Sequence, residues 1–323
     1  GTSSSDKATV ITNGGDVSLS VQRDERANVK IDLKNANIDA SDKVSNQNGN
    51  VDVVASTIAE TFSWAMESNK AEINIDTSDI KGDNVNIAVM ATISGEVAEY
   101  DENVQFTDKE IEKNWKDALE KHDDGVLDLI HDTIGFDIQN LRTLTSATVV
   151  EVNSAITVKD SKIDAIGGTK VGAESGKEVT HGNLNMLTVG NSRITTNGLG
   201  FLNFSVVVGM SDVDSKLTIT NSNLYAENHI NLAAKGDNKV ELTYLDLSLA
   251  DMVPKFNEVG VASAGFNWAE LNSDVAVTVD KASTLKARNN VGISAESIRN
   301  LMSTTVAGGD ADKIGVVASV ALA

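Results

Sequence analysis

Apolar and polar residues alternate along much of the chain, in short runs that are separated by polar turns. Residues 276–295 show this most clearly, with alternating runs at 277–279, 283–287 and 291–295. An apolar residue at every second position is typical of a β-strand that buries one face. The pattern therefore predicts three short strands in this stretch.

Variants of the same unit recur along the chain. Each copy carries two apolar residues with one residue between them, and then a Ser or Ala. A further apolar residue and usually an Ala follow. Six copies are predicted, and they begin at Val29, Ile73, Ile156, Leu187, Leu217 and Val277. Stacked copies would align Ser or Ala in one internal row and Val, Ile or Leu in others, as in a β-solenoid.

A second alternating run precedes three of these copies and ends in a small residue. The runs end at Ala65, Gly209 and Ala269, and each begins eleven residues before its copy. Residues 56–67 also permit an amphipathic helix, but their match to the run at 266–269 favours a strand. Successive late modules lie roughly 55 to 60 residues apart, which we interpret as two coils of a solenoid.

Parallel coils explain the repeat better than antiparallel hairpins do. Adjacent runs lack the Asn-Gly or Asp-Gly turns that two-residue hairpins favour. The general rule for parallel crossovers predicts a right-handed connection. The predicted fold is therefore all-β, a right-handed parallel β-helix with coils over residues 1–106 and 145–323.

Residues 107–144 interrupt the β pattern. The sequence Thr107-Asp-Lys-Glu110 is a capping-box signature for a helix start, and apolar residues then recur at helical spacing on both sides of a turn at 122–125. We predict a helical hairpin insertion that packs on the side of the solenoid. It would be either a partner-binding element or a structural lid over an exposed flank. The candidate partner-binding residues are Trp115, Lys116, Leu119, His122 and His131.

Composition narrows the classes of partner and chemistry. Hydrophobic residues make up 41% of the chain and aromatic residues only 4%, so the apolar set is mainly small and aliphatic and suits a narrow layered core. The formal net charge of -20 repels nucleic acid and anionic membrane surfaces, and neither is a predicted partner. The absence of cysteine excludes disulfides, thiolate catalysis and Cys-based zinc sites.

Both ends of the chain suggest a piece of a longer protein. No apolar run approaches the length of a transmembrane helix, and the first residues do not form a signal peptide. Residues 1–5 look like a cut end, and the chain stops inside an apolar strand pattern at 316–323. We therefore expect one continuous solenoid that is truncated at both ends.

Residues that could carry catalysis or bind metal are scattered. His122 and His131 lie near several aspartates, but their spacing matches no metal-ligand motif, and His181 and His229 are isolated. Residues 308–314 match a calcium-binding repeat only in part and are interpreted as a turn. No P-loop, dinucleotide fingerprint or nucleophilic-serine motif occurs. The prediction is a non-enzymatic protein without catalytic, cofactor-binding or metal-binding residues.

The last quarter of the chain resembles a known repeat. It reads Ser283-Thr-Leu-Lys-Ala287, Val291-Gly-Ile-Ser-Ala-Glu296, Thr304-Thr-Val-Ala-Gly-Gly309 and Ile314-Gly-Val-Val-Ala-Ser319. This order of short motifs is similar to the repeat of the leukotoxin-type filamentous adhesins of Gram-negative bacteria, which include the fusobacterial leukotoxin. The likeness extends more loosely over residues 155–298, and the insertion has no counterpart in it.

The resemblance implies a segment of a large toxin or adhesin that is exported by two-partner secretion. It implies a long right-handed parallel β-helix, a location outside the cell or on the bacterial surface, and an outer-membrane secretion partner for the parent protein. It also implies a host cell-surface receptor, in particular on leukocytes, and no catalytic residues. Two alternatives remain open: a β-helix polysaccharide lyase or hydrolase, and a purely structural spacer of a filamentous adhesin.

Overall fold

The computed structural model describes residues 8–42, 44, 47–60, 65–97, 144–168, 181–200, 204–246, 264–307 and 316–322. Within these ranges every secondary-structure element is a β-strand. The strands form three six-stranded sheets, named here A, B and C. The predicted all-β class is confirmed for this part of the chain. The helical insertion lies outside the described residues, except that its predicted last residue, Leu144, begins a strand.

Each sheet takes every third strand of the chain. Sheet A contains β1 (Ala8–Ile11), β4 (Ala36–Asp39), β7 (Asp79–Gly82), β10 (Lys162–Ala165), β13 (Asn223–Ala226) and β16 (Thr284–Ala287). Sheet B contains β2 (Val17–Arg23), β5 (Val51–Glu60), β8 (Val85–Val97), β11 (Leu184–Gly200), β14 (His229–Asp246) and β17 (Asn290–Ala307). Sheet C contains β3 (Asn28–Lys34), β6 (Ala65–Asp76), β9 (Leu144–Lys159), β12 (Phe204–Thr220), β15 (Ala264–Val279) and β18 (Val316–Leu322).

The chain passes through sheets A, B and C in turn, and one such circuit is called a coil here. The described strands make six coils, and each strand pairs in parallel with the strand three places later in the chain. This arrangement is consistent with a parallel β-helix, and the prediction of parallel coils instead of hairpins is confirmed. A parallel pair needs such a long crossover because its two strands run in the same direction.

The predicted number of residues in a coil is wrong. Ser222 and Ser283 occupy equivalent places in adjacent coils and lie 61 residues apart, so one late module is one coil and not two. The coils are long because strands of sheets B and C are long: β14 and β17 have 18 residues each. The separate runs predicted before Leu217 and Val277 are the first halves of β12 and β15.

Five of the six predicted copies lie where sheet C is followed by sheet A, and the fourth does not. Leu187 lies inside β11 in sheet B, where it pairs with Ala88 and Ala233. The error arises because apolar and polar residues alternate along this long sheet-B strand as they do around the corner between sheets C and A. The strand also carries a buried serine, Ser192. The strand interpretation of residues 56–67 is confirmed in the described part of that range, by β5 and β6.

Inward side chains align in rows along the stack. Register partners in sheet A place four large apolar side chains above one another, and each is at most 2% exposed. These are Ile38, Ile80, Ile163 and Leu224. Burying one such side chain stabilises the fold by about 1.5–3 kcal/mol. The predicted internal rows of Val, Ile and Leu are therefore confirmed.

The predicted row of small residues is also confirmed, and its hydroxyl groups join the coils. Ser78, Ser161 and Ser222 are buried at the corner between sheets C and A. The backbone N–H of Ser78 donates to Ser161 Oγ at 3.0 Å, and that of Ser161 donates to Ser222 Oγ at 3.1 Å. Because a buried N–H needs an acceptor, each serine satisfies the corner of the preceding coil.

The residue just before this row turns the chain. Asn35, Thr77, Asp160 and Asn221 have φ between 43° and 52°, the left-handed region. A single left-handed residue redirects the chain from sheet C into sheet A, and Asn and Asp adopt this region more readily than other non-glycine residues. The turn into coil 6 is different, because it contains one extra residue before Ser283, as the sequence predicts.

Sheets B and C approach each other closely at Gly236, an inward position of β14. A Cβ at this glycine would lie 2.5 Å from Cγ2 of Val275. We expect Gly236→Ala to lower the free energy of unfolding by about 1–3 kcal/mol, since the β-branched valine cannot move aside within a packed core. Urea unfolding measures the change. Gly292→Ala is the matched control in the next strand of sheet B, where the nearest atom to the added Cβ is 3.4 Å away. Equal losses in the two variants would contradict the close approach.

Candidate functional site

Polar side chains from several coils meet where strands of sheet A end and those of sheet B begin. Asp83 follows β7, Glu227 follows β13 and Arg288 follows β16, so stacking places them along one edge. Backbone hydrogen bonds continue along this edge, from Glu227 N–H to Ala165 O and from Arg288 N–H to Ala226 O. The corner cluster is defined as Asp83, His181, Tyr225, Glu227 and Arg288.

The most buried charge in the corner cluster belongs to Asp83, which is 1% exposed. Its Oδ2 lies 2.7 Å from His181 Nδ1, and its Oδ1 accepts the N–H of Gly182 at 3.3 Å. A carboxylate at Nδ1 orients the imidazole and leaves Nε2 on the opposite side of the ring. The sequence interpretation of His181 as isolated is therefore wrong, because its partner lies 98 residues earlier in the chain.

Two glycines allow the next coil to approach this pair. Gly167 and Gly182 have φ of 66° and 75°, which favour glycine. A Cβ on Gly182 would lie 2.8 Å from Cβ of Glu227. Glu227 is thus placed against the backbone beside His181.

Glu227 binds two partners at once. Tyr225 Oη donates to its Oε2 at 2.5 Å, and Arg288 forms an ion pair with its Oε1. The Tyr225 hydroxyl and then Arg288 hold the pKa of Glu227 below its ordinary value, because both favour the ionised carboxylate. The same carboxylate raises the pKa of Tyr225, so the phenol stays protonated at neutral pH.

Charges alternate on the outward face of sheet A beside the corner cluster. One register row contains Asp39, Lys81, Asp164, Tyr225 and Lys286. Lys162 Nζ lies 2.5 Å from Asp164 Oδ2, and this hydrogen bond is the main cause of the raised pKa of Lys162. Lys162 is also attracted to Asp79, its register partner in β7. Opposite charges on neighbouring strands stabilise the stacking and penalise a shifted register.

The pKa shifts of Glu227 and Tyr225 are not those that a glycan-cleaving acid–base pair uses. A glycosidase needs a carboxyl group whose pKa is raised so that it can donate a proton. The pKa of Glu227 is shifted in the opposite direction, and the raised pKa of Tyr225 keeps its phenol protonated, so no phenolate is available as a base at neutral pH. The arrangement is suited to holding neighbouring coils together.

The described part of the chain contains neither a metal-ligating cluster nor a helix that could span a membrane. No group of three His, Cys, Asp or Glu side chains there is placed to hold a metal ion. None of the elements in the described ranges is a helix long and apolar enough to cross a membrane.

The partner-binding residues predicted from the sequence are not among the described residues. Trp115, Lys116, Leu119, His122 and His131 all fall between the end of β8 and the start of β9. The segment that contains them connects the end of β8 at Val97 with the start of β9 at Leu144, within coil 3.

Glu67 points into the space between sheets B and C at the start of β6, and its side chain is 11% exposed. Its Oε2 is buried without a hydrogen-bond partner, while Oε1 lies 3.7 Å from Arg26. Burial raises the pKa of Glu67, an effect that Arg26 opposes. The folded state therefore favours the protonated carboxyl group.

We expect Glu67→Gln to stabilise the protein at pH 7 and to have less effect in acid. Because its pKa is raised on folding, the contribution of Glu67 to stability is greatest below the ordinary glutamate value and is lost as pH rises through the folded-state value. Urea unfolding at several pH values measures the difference. Glu72→Gln is the control, since Glu72 lies 2.7 Å from Lys70 and loses an ion pair. A destabilised Glu67→Gln at pH 7 would contradict this account.

Comparisons with known proteins identify no relative. No protein-family model, curated protein or solved structure matches this chain significantly. The resemblance to the leukotoxin-type repeat therefore stays a prediction.

Proposed function

We propose that this chain is a non-catalytic segment of a large secreted bacterial cytotoxin or adhesin that binds host cells through a rigid β-helical rod. The stack of in-register parallel coils is the observation that carries the proposal. The likeness of residues 277–323 to the leukotoxin-type repeat supports it further. The coils are right-handed, as parallel crossovers are in nearly all proteins. The parent protein is exported through an outer-membrane partner and acts outside the cell or on its surface.

Rigidity follows from the contacts between coils. Each coil forms hydrogen bonds to the next on three sheets, and amide side chains extend the ladder on the outside. Asn86 Nδ2 donates to Asp52 Oδ1 at 2.8 Å, and Asn185 Nδ2 donates to Asn86 Oδ1 at 2.9 Å. A stiff rod holds several weak contact sites at fixed distances, so that one engaged site raises the local concentration of the next.

The helical hairpin at 107–144 is the proposed point of contact with a leukocyte receptor. Its capping box and its apolar stripe with Trp115 and Leu119 favour an amphipathic helix pair. On such a helix pair, Trp115 and Leu119 would supply an apolar anchor, and Lys116, His122 and His131 a polar rim, the usual arrangement of a protein interface. Insertions that decorate one side of a solenoid often bind partners.

Binding of the purified chain to leukocytes and to unrelated cells tests this function. Residues 107–143 are replaced by a Gly/Ser linker, which spares β9. We expect the intact chain to bind leukocytes and the variant to bind at least about tenfold more weakly, with the far-UV spectrum of a β-protein retained. Unchanged binding would exclude the insertion as the contact site. Absence of binding by the intact chain would support the structural spacer instead.

The alternative function is a β-helix polysaccharide lyase or hydrolase. One observation favours it: His181, Glu227 and Arg288 are partly exposed at this corner, with Asp83 buried behind His181. Incubation with acidic polysaccharides decides between the two functions. Release of unsaturated or shortened sugars that is abolished by Glu227→Gln and by His181→Ala would establish the enzyme and contradict the non-catalytic proposal.

A further inference from the structure

The outward face of sheet B carries an apolar patch in coils 2 to 4. Outward strand positions in a solenoid normally face water and are polar. Here Ile58 and Met90 are each 42% exposed, and further apolar side chains adjoin them. The sheet-B patch is defined as Val54, Ile58, Ala88, Met90, Leu187 and Val189. Ser56 lies between Val54 and Ile58 on β5, and Ile58 shares its row with Thr92 and Asn191, so polar residues interrupt the patch. Grouped exposed apolar side chains of this kind mark interaction surfaces.

Register rows place polar borders on both sides of the sheet-B patch. On one side runs the row of Asp52, Asn86 and Asn185. On the other side runs the row of Glu60, Ser94 and Arg193. The central strand is β8, so coil 2 and coil 4 lie on opposite sides of Met90.

We propose that the outward face of sheet B binds the same face of a second copy of this chain, with the two-fold axis along β8. Such an isologous contact brings one patch onto itself. Because the axis is parallel to the strands, each register row of one copy faces the same row of the other copy. The order of the coils is reversed, so coil 2 of one copy faces coil 4 of the other. Met90 of one copy then meets Met90 of the other.

The exchanged residues are complementary in the two polar border rows and in the row of Val54, whereas Ser56 faces Val189 and Ile58 faces Asn191 in the rows between them. Glu60 of one copy faces Arg193 of the other, because both belong to one row on opposite sides of β8. Arg193 already lies 3.2 Å from Asp237, yet its side chain is 61% exposed and its guanidinium can accept a second carboxylate. In the apolar row Val54 faces Leu187. In the other polar row Asp52 faces Asn185, which pairs an acceptor with an amide donor.

The size of the face suits a dimer. Five strands of sheet B, from β2 to β14, about 4.8 Å apart and about 10 residues long at 3.3 Å each, cover roughly 800 Å². Stable interfaces bury about 800 Å² on each partner. The apolar centre with an amide row on one side and a charged row on the other also matches the usual arrangement of an interface.

Sedimentation velocity of the full chain over a range of concentrations tests the dimer. Wild type is expected to dimerise, and Met90→Lys to weaken dimerisation at least about tenfold, because two like charges would meet at the axis. Met302→Lys is the control: this methionine is 44% exposed in β17 and lies outside the sheet-B patch. A wild-type chain that stays monomeric, or a dimer insensitive to Met90→Lys, would overturn the proposal.

A charge exchange tests the geometry itself. Glu60→Arg and Arg193→Glu should each weaken the dimer, and the double variant should restore it, because the exchanged charges face each other again across the axis. Far-UV spectra and melting temperatures verify that every variant folds. Failure of the double variant to restore a dimer that both single variants have lost would overturn the axis along β8.

Discussion

Removal of residues 223–283 should leave a folded stack that is one coil shorter. Asn223 and Thr284 are register partners, so joining Ser222 to Thr284 connects equivalent points of adjacent coils. β10, β11 and β12 would then pair with β16, β17 and β18, and the internal rows would continue. Solenoid stability is roughly a sum over repeats and their interfaces, so we expect cooperative unfolding at lower urea and a rod shorter by about 4.8 Å. Small-angle scattering and urea unfolding measure the two effects.

A deletion out of phase provides the control. Removing residues 223–263 deletes less of the chain but joins Ser222 directly to β15, so that a sheet-C strand follows the corner where sheet A should begin. In this variant no register aligns both the inward rows and the corners with those of the neighbouring coils. We expect it to be unfolded or aggregated. Similar behaviour of the two deletions would contradict the coil boundaries.

Ile156→Asp should destabilise the chain by at least about 4 kcal/mol. Ile156 is 0% exposed and lies in the inward row between Ile73 and Leu217. A carboxylate there would lose its hydration without a partner, and it would replace apolar contacts with two neighbouring coils. Urea unfolding should show an earlier transition or none.

The adjacent residue is the matched control. Thr157 points outward from the same strand, and we expect Thr157→Asp to change the free energy of unfolding by less than about 1 kcal/mol. The difference between the two changes in the free energy of unfolding separates the effect of burial from that of local strand propensity. Equal losses would show that the alternation of inward and outward positions is assigned wrongly.

The architecture was predictable from the sequence because period-two alternation and a repeated small residue both reflect the stack. Ser78, Ser161 and Ser222 stand at the small-residue position of the second, third and fifth predicted copies, because a buried corner with one hydroxyl has a distinct local pattern. The length of a coil was not predictable. Alternation continues unchanged through a strand as long as β14, whereas strands are usually about 5–6 residues long. Short runs were therefore counted as separate strands.

Inward polar residues show a second limit of the pattern. Ser215 Oγ donates to Thr188 Oγ1 at 2.9 Å, and Ser211 Oγ donates to Ser192 Oγ at 2.7 Å, both across the core between sheets B and C. From the sequence alone, a polar residue in an alternating run is expected to point outward. A hydroxyl can nevertheless be buried when a facing hydroxyl forms a hydrogen bond with it. Only the fold reveals which residues face each other.

The corner cluster could not be predicted for the same reason. Asp83 and His181 are 98 residues apart, and no spacing rule connects them. The available signal was indirect: each stands next to a glycine, Gly82 or Gly182, just before a sheet-B strand begins. Aligning the starts of β8 and β11 would have placed the two residues in adjacent coils.

In-register parallel stacking is the central claim, and disulfide trapping tests it most directly. The chain has no cysteine, so pairs can be introduced without background. Thr157 and Thr218 are register partners on the outward face of sheet C, within the Cα separation of about 4.4–6.8 Å that a disulfide needs. Thr157 and Thr220 lie two positions out of register, beyond about 7 Å. The stack predicts rapid oxidation of the variant with cysteines at 157 and 218 and little for the pair at 157 and 220, and the reverse order would contradict it.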